Sequence, residues 1–127
     1  ACWLLGEPTW CAEVAAAIAP DRDKVAVTGF GVIILGPLAR PLGLALAGAG
    51  DLDGAHEALS LAIEISDRCG FDLWAARARR ERALVADRRG AAGDAEQADA
   101  DRTTASKWAS SKGVQLALRP EESPSSA

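Results

Sequence analysis

The feature that most constrains this chain is a stretch that occurs twice. Gly50–Gly70 (GDLDGAHEALSLAIEISDRCG) opens on Gly-Asp, carries Ala55, Ala58 and Ala62, and closes on a glycine. Gly93–Gly113 (GDAEQADADRTTASKWASSKG), 43 residues further on, follows the same plan. Ala98 and Ala105 fall where Ala55 and Ala62 fell, and an acid (Asp53, Glu96) follows two residues after each opening Asp. The preceding segments match as well. Leu38–Gly50 aligns with Ala78–Gly90 at an offset of 40, with Arg40 over Arg80, Leu44 over Leu84 and Gly50 over Gly90. The unit is helix, Gly turn, helix, Gly, with a period of 40 to 43. Self-similarity at that period marks a stacked helical array, in which no single hairpin buries its apolar face alone.

Composition agrees. A chain of 127 residues is one domain at most, and with no Met at its start it is expected to be a fragment. Alanine dominates, aromatic residues are 5%, and Tyr and Met are missing, which suits close-packed helices and argues against a β-sandwich. A net charge of −4 gives no general attraction to nucleic acid or anionic membrane. Cys2, Cys11 and Cys69 are odd in number and far apart, so they make neither a disulfide framework nor a zinc site; a reducing cytoplasm is the expected setting. The N-terminus has no signal-peptide pattern. Gly31–Gly50 is long enough to cross a bilayer and holds one charge, Arg40. Pro37, Pro41, its glycines and its place in the repeat make a buried array helix the expectation instead.

In chain order, residues 1–20 read as the end of a preceding repeat. Pro8 and Thr9 start a helix, Trp10, Val14, Ala17 and Ile18 form its apolar face, and Pro20 ends it. Residues 21–35 read as a connecting loop or the start of a helix, and Val25–Leu35 is compatible with an extended piece or a helix. Residues 36–70 form the first helical repeat. Leu38, Leu42, Ala45, Leu46 and Ala49 make one stripe, with a start near Arg40 or a kink imposed by Pro41. Asp51 caps the next helix, which buries Ala55, Leu59, Ala62, Ile63 and Ser66 and stops at Gly70. Residues 71–113 form the second repeat. Asp72 is the expected cap of a helix burying Phe71, Trp74, Ala75, Ala78 and Val85. Asp94 is the expected cap of a helix burying Ala95, Ala98, Ala105, Trp108 and Ala109. Residues 114–127 read as a disordered, Pro/Ser-rich tail after a short apolar run. The expected fold class is all-α, an antiparallel helical-hairpin array.

Leu35–Gly113 resembles the tetratricopeptide-like C-terminal region of large bacterial signalling proteins built on a STAND ATPase, the cyclase-type and LuxR-type regulators. The resemblance rests on a Gly- and Ala-bearing helix before a Gly-Asp-x-x-x-Ala helix, then Gly70, Trp74 and Ala76, then Gly-Asp-x-x-x-Ala again. These are packing residues. The ATP-binding loop, cyclase domain and DNA-binding helix-turn-helix of such proteins are not in this sequence. The resemblance implies tetratricopeptide-like repeats acting as a non-catalytic scaffold, a regulatory or protein-interaction segment of a larger regulator. The other reading is a fragment of a LuxR-type transcriptional regulator whose DNA-binding domain lies outside this chain. Partners would be other domains of the same parent or a separate protein, with no direct nucleic acid contact and no membrane.

Candidate chemistry is sparse, and no cofactor or metal is expected. Asp53, His56 and Ser60 share a helix face at i, i+3 and i+7, but a serine inside a helix has neither strain nor an oxyanion hole, so a solvated face is expected. Asp51-Leu52-Asp53-Gly54 opens like a calcium loop, yet Ala62 stands where the bidentate glutamate is required. Gly29-Phe30-Gly31 is glycine-rich without the Gly-Lys-Ser/Thr ending of a phosphate loop. The basic concentration Arg77, Arg79, Arg80, Arg82, Arg88 and Arg89 is diluted by Glu81 and Asp87. It suits an intramolecular or protein contact more than nucleic acid, with Arg77, Arg80 and Arg88 as candidate partner-binding residues.

Overall fold

A computed structural model describes residues 6–29, 31 and 33–116. Among them are five α-helices: α1 (Pro8–Ile18), α2 (Ala39–Gly48), α3 (Leu52–Cys69), α4 (Asp72–Arg89) and α5 (Asp94–Lys112). Each helix packs chiefly on its neighbours in sequence. The core clusters fix the directions. Ala39 at the start of α2 meets Ala62 and Ile63 late in α3 and Ala78 early in α4. Ala47 at the end of α2 meets Ala55 early in α3 and Val85 late in α4. Ala76 early in α4 meets Ala105 and Ala109 late in α5. Helices α2 to α5 therefore run antiparallel in succession. Their core is mostly alanine, which lets the helix axes come close.

Residues about one period apart lie side by side. Arg40 reaches Glu81 and His56 reaches Gln97, each pair 41 positions apart. These contacts tie α2 to α4 and α3 to α5.

Within Val25–Leu35 the described residues resolve as two strands with turns at Gly29 and Gly31, so the fold is mostly helical rather than purely α. Strands β1 (Val25–Thr28) and β2 (Ile33–Pro37) pair antiparallel, Val25 with Pro37 and Thr28 with Ile33, with an irregularity at Ala26/Val27. Valine, isoleucine and threonine lose side-chain freedom in a helix and fit a pleated surface. Gly29, Gly31 and Gly36 adopt positive φ there, which a continuing helix would forbid. The hairpin joins the array at its β2 end. Gly36 has φ +94, and a Cβ on it would lie 2.8 Å from the Trp74 ring. Helix α2 then begins at Ala39 with Pro41 in its first turn, where a missing N–H costs nothing. The apolar Gly31–Gly50 run is thus split between a strand and a ten-residue helix. Among the described residues no helix is long and apolar enough to cross a membrane.

The α1 stripe differs from expectation. Trp10 and Val14 are exposed, at 56% and 41%, whereas Cys11 and Ala15 are buried. Apart from Glu13 and Thr9 this helix is apolar, so periodicity does not separate its faces; Cys11 and Ala15 turn inward, and of the expected stripe Ile18 packs against the cluster of Ala15, Leu42, Ala45 and Ala58. Ala95 is also exposed, and Phe71, Trp74 and Trp108 are half-buried rather than fully enclosed. Leu116 is buried against Ala76, Ala105 and Ala109, so packing continues past Gly113. The rest of the expected tail, and residues 1–5 of the expected preceding repeat, lie outside the described residues.

Two of the three expected Asp caps are corrected. Asp51 does cap α3, its Oδ1 accepting from Gly54 N–H at 2.9 Å. Asp72 makes no cap hydrogen bond, and Phe71 is the N-cap residue of α4. Asp94 also makes no cap hydrogen bond, because Gly93, with φ +82, is the N-cap of α5. Three extra residues in the second turn shift Asp94 into the helix, where it serves Arg89 instead. Asp51→Ala should therefore lower stability by about 1 kcal/mol. A thermal melt showing no change would mean that solvent replaces the cap.

Candidate functional site

The polar face of α3 is only partly solvated: Asp53 is exposed, whereas His56 and Ser60 are half-buried and bonded. His56 Nε2 lies 2.6 Å from Gln97 Oε1 on α5. Ser60 Oγ donates to the His56 backbone carbonyl at 2.8 Å and accepts from the Arg82 guanidinium at 3.1 Å. The Ser60 proton is thus directed away from the His56 ring, and the three residues do not form a nucleophile–base relay. Arg82 also makes a forked pair with Asp101, at 2.8 and 2.7 Å. Arg89 forks onto Asp94, at 2.9 and 2.7 Å, and reaches Asp53 at 3.3 Å. Asp53, His56 and Ser60 of α3 thus face Asp94, Gln97 and Asp101 of α5 across the arginines of α4. Forked guanidinium–carboxylate pairs are the strong, geometrically specific kind.

Asp94 is the most perturbed acid of this seam. The hydrogen bond from Arg89 chiefly, aided by the Ala91 N–H, holds its pKa down at about 2, against an opposing effect of burial. Arg89 is raised in turn by the same hydrogen bond. A carboxyl depressed in the folded state contributes stability that is complete above its unfolded pKa and is lost as pH falls through the folded one. Between about pH 4 and pH 2 the native chain should therefore lose a stability increment that Asp94→Asn lacks. Parallel acid titrations of the two proteins, followed by circular dichroism, measure it. Curves of the same shape would show that the pair contributes nothing in solution.

The arginines marked as candidate partner contacts have different settings. The Arg77 guanidinium lies over the Trp74 ring at 5.3 Å from its centre, and Arg40 lies 5.7 Å from the same centre. Arg80 lines a shallow cleft with Arg102, Ser110 and Leu116. Arg88 is exposed in the last turn of α4. Arg79, Arg82 and Arg89, from the same basic run, hold Asp67, Asp101 and Asp94. Much of the basic concentration is therefore spent within the fold, because α4 is the middle helix and carries the counter-charges for α3 and α5.

A concavity lies elsewhere, between α1 and α3 over α2, with a volume of about 740 Å³. Leu42 and Leu46 of α2 form its floor. Ala12, Ala15 and Ala16 of α1 form one wall, and Ala58 and Leu61 of α3 the other. Its charged rim is Asp51, Glu57 and Glu64 against the single base Arg22. Glu57 and Glu64 are exposed and make no ion pair among the described residues. Sequence reading passed over this groove. Its one signal was the i, i+7 spacing of Glu57 and Glu64 beside Leu61, which alone looks like any solvated helix edge.

No protein-family model, no curated protein and no solved structure matches this chain. The site therefore rests on its own geometry. Among the described residues no group of three His, Cys, Asp or Glu side chains is gathered to hold a metal ion. Among its described lining residues the groove offers apolar area, a mainly acidic rim and a single hydroxyl, Ser60, already engaged by Arg82.

Proposed function

We propose that this chain is a non-catalytic helical-repeat scaffold, the protein-interaction segment of a larger bacterial signalling ATPase or cyclase-type regulator. The observation that carries the reading is the α1–α3 groove. It is open, apolar at its floor and unoccupied by the chain's own described side chains, while the polar residues between α3 and α5 are bonded to one another. An array that is locked internally and open at one groove is suited to holding another domain of its parent, or a separate protein, in fixed orientation. The alanine-lined helix contacts would pass occupancy along the array, since neighbouring hairpins share each interface.

A photo-crosslinking residue tests this. At Ala16, which is exposed on the groove wall, it should give a discrete protein adduct in cells expressing the parent protein. At Glu96, exposed on α5, it should give none. Adducts at neither position, or equally at both, would sink the scaffold reading.

A further inference from the structure

The charge and shape of the α1–α3 groove go further than a generic interaction surface. The floor of Leu42 and Leu46, with Leu61 on the wall, is a strip of large apolar side chains flanked by alanines. Small flanking residues leave room for the side chains of an incoming helix. Glu57 and Glu64 stand on the α3 rim seven residues apart, two turns on one face, or about 10.5 Å along the axis. Asp51 extends the acidic edge toward the start of α3, and among the described residues Arg22 is the only base on the rim.

We infer that the groove takes a basic amphipathic helix of a partner protein. Its apolar face would lie on the half-buried Leu46 and Leu61, over the buried Leu42. Lysines or arginines seven positions apart would pair with Glu57 and Glu64. This rests on the scaffold reading above and names the chemistry of its occupant. Helix-in-groove recognition draws affinity from apolar anchors at i, i+3, i+4 and i+7. Charge complementarity at the rim adds selectivity and speeds association. The same acids repel an acidic segment and a nucleic acid backbone.

The test is a selection of random 16-residue peptides on the full chain, a length that spans roughly 24 Å as a helix. The enriched peptides should be net basic, carry Lys or Arg at helical spacing beside leucines, and bind less well as salt is added. Glu57→Lys/Glu64→Lys should weaken the selected peptides about tenfold, the order expected when two rim pairs become like-charge contacts. Glu96→Lys/Asp99→Lys on α5, with the same change in net charge, should leave binding unchanged. Both variants alter exposed side chains. Glu57→Gln/Glu64→Gln supplies the milder version and should give a smaller loss. Neutral or acidic winners, no enrichment, or equal effects of the two reversals would overturn the inference. Acidic winners together with a groove adduct at Ala16 would remove the basic helix and leave the scaffold standing. No adduct at Ala16 would remove the scaffold reading itself.

Discussion

Leu59→Ala is expected to cost about 2–5 kcal/mol, and Gly43→Ala about 1–3 kcal/mol, yet the two together should cost less than their sum. Leu59 is fully buried where α2, α3 and α4 meet, packed with Ala47, Ala55 and Val85. Removing its branch leaves a cavity that alanine neighbours cannot fill. Gly43 is the reason that α2 comes so near. A Cβ at position 43 would lie 2.6 Å from Leu59 Cγ and 3.2 Å from the Ala55 carbonyl oxygen. A helical glycine replaced by alanine ordinarily gains up to about 1 kcal/mol. Here the clash reverses the sign, because Leu59 is enclosed and has nowhere to turn. In the double variant the new methyl enters the space that Leu59 vacated. Denaturant melts of the two single variants and the double one measure the coupling. Simple additivity would mean that α2 and α3 separate on substitution and do not share that space.

Gly36→Ala should cost about 2–4 kcal/mol, from two separable causes. The backbone there has φ +94, which an L-residue adopts only at a cost. The added Cβ would also press on the Trp74 ring, 2.8 Å from Cδ2. The ring cannot yield freely, since Arg77 and Arg40 lie against it. Adding Trp74→Ala removes the second cause and leaves the first. The cost of Gly36→Ala should then fall by about half while remaining measurable. If Trp74→Ala abolishes it entirely, the positive φ contributes nothing. If Trp74→Ala leaves it whole, the ring is not what Gly36 supports.

Helices α2 to α5 were legible because local chemistry and tertiary packing ask for the same residues there. Ala55, Leu59, Ala62, Ile63 and Ser66 were assigned to one buried face and all five are buried. Gly70 and Gly113 close their helices in the left-handed conformation that glycine adopts at least cost. Where local signals were degenerate the reading failed. In α1 nearly every residue is apolar or small, so periodicity could not separate the Trp10 face from the Cys11 face. At Asp94 the sequence resembled Asp51, but the longer turn placed it one residue inside the helix.

The sequence by itself determined the predominance of helix, the helix-ending turns at Gly70 and Gly113 and which face of α3 is buried. These follow from spacing and from backbone preferences that act within a few residues. Only the tertiary structure decided what the polar residues do. His56 meets Gln97, Arg82 meets Asp101 and Arg89 meets Asp94 because stacking brings α3, α4 and α5 together. Stacking likewise leaves the gap between α1 and α3 that makes a groove. A charge seven residues from another on one helix has the same appearance whether its neighbour is water, a counter-ion or an empty cleft. The difference lies in which helix stands opposite, and that is set by the sum of all the core contacts rather than by any local pattern.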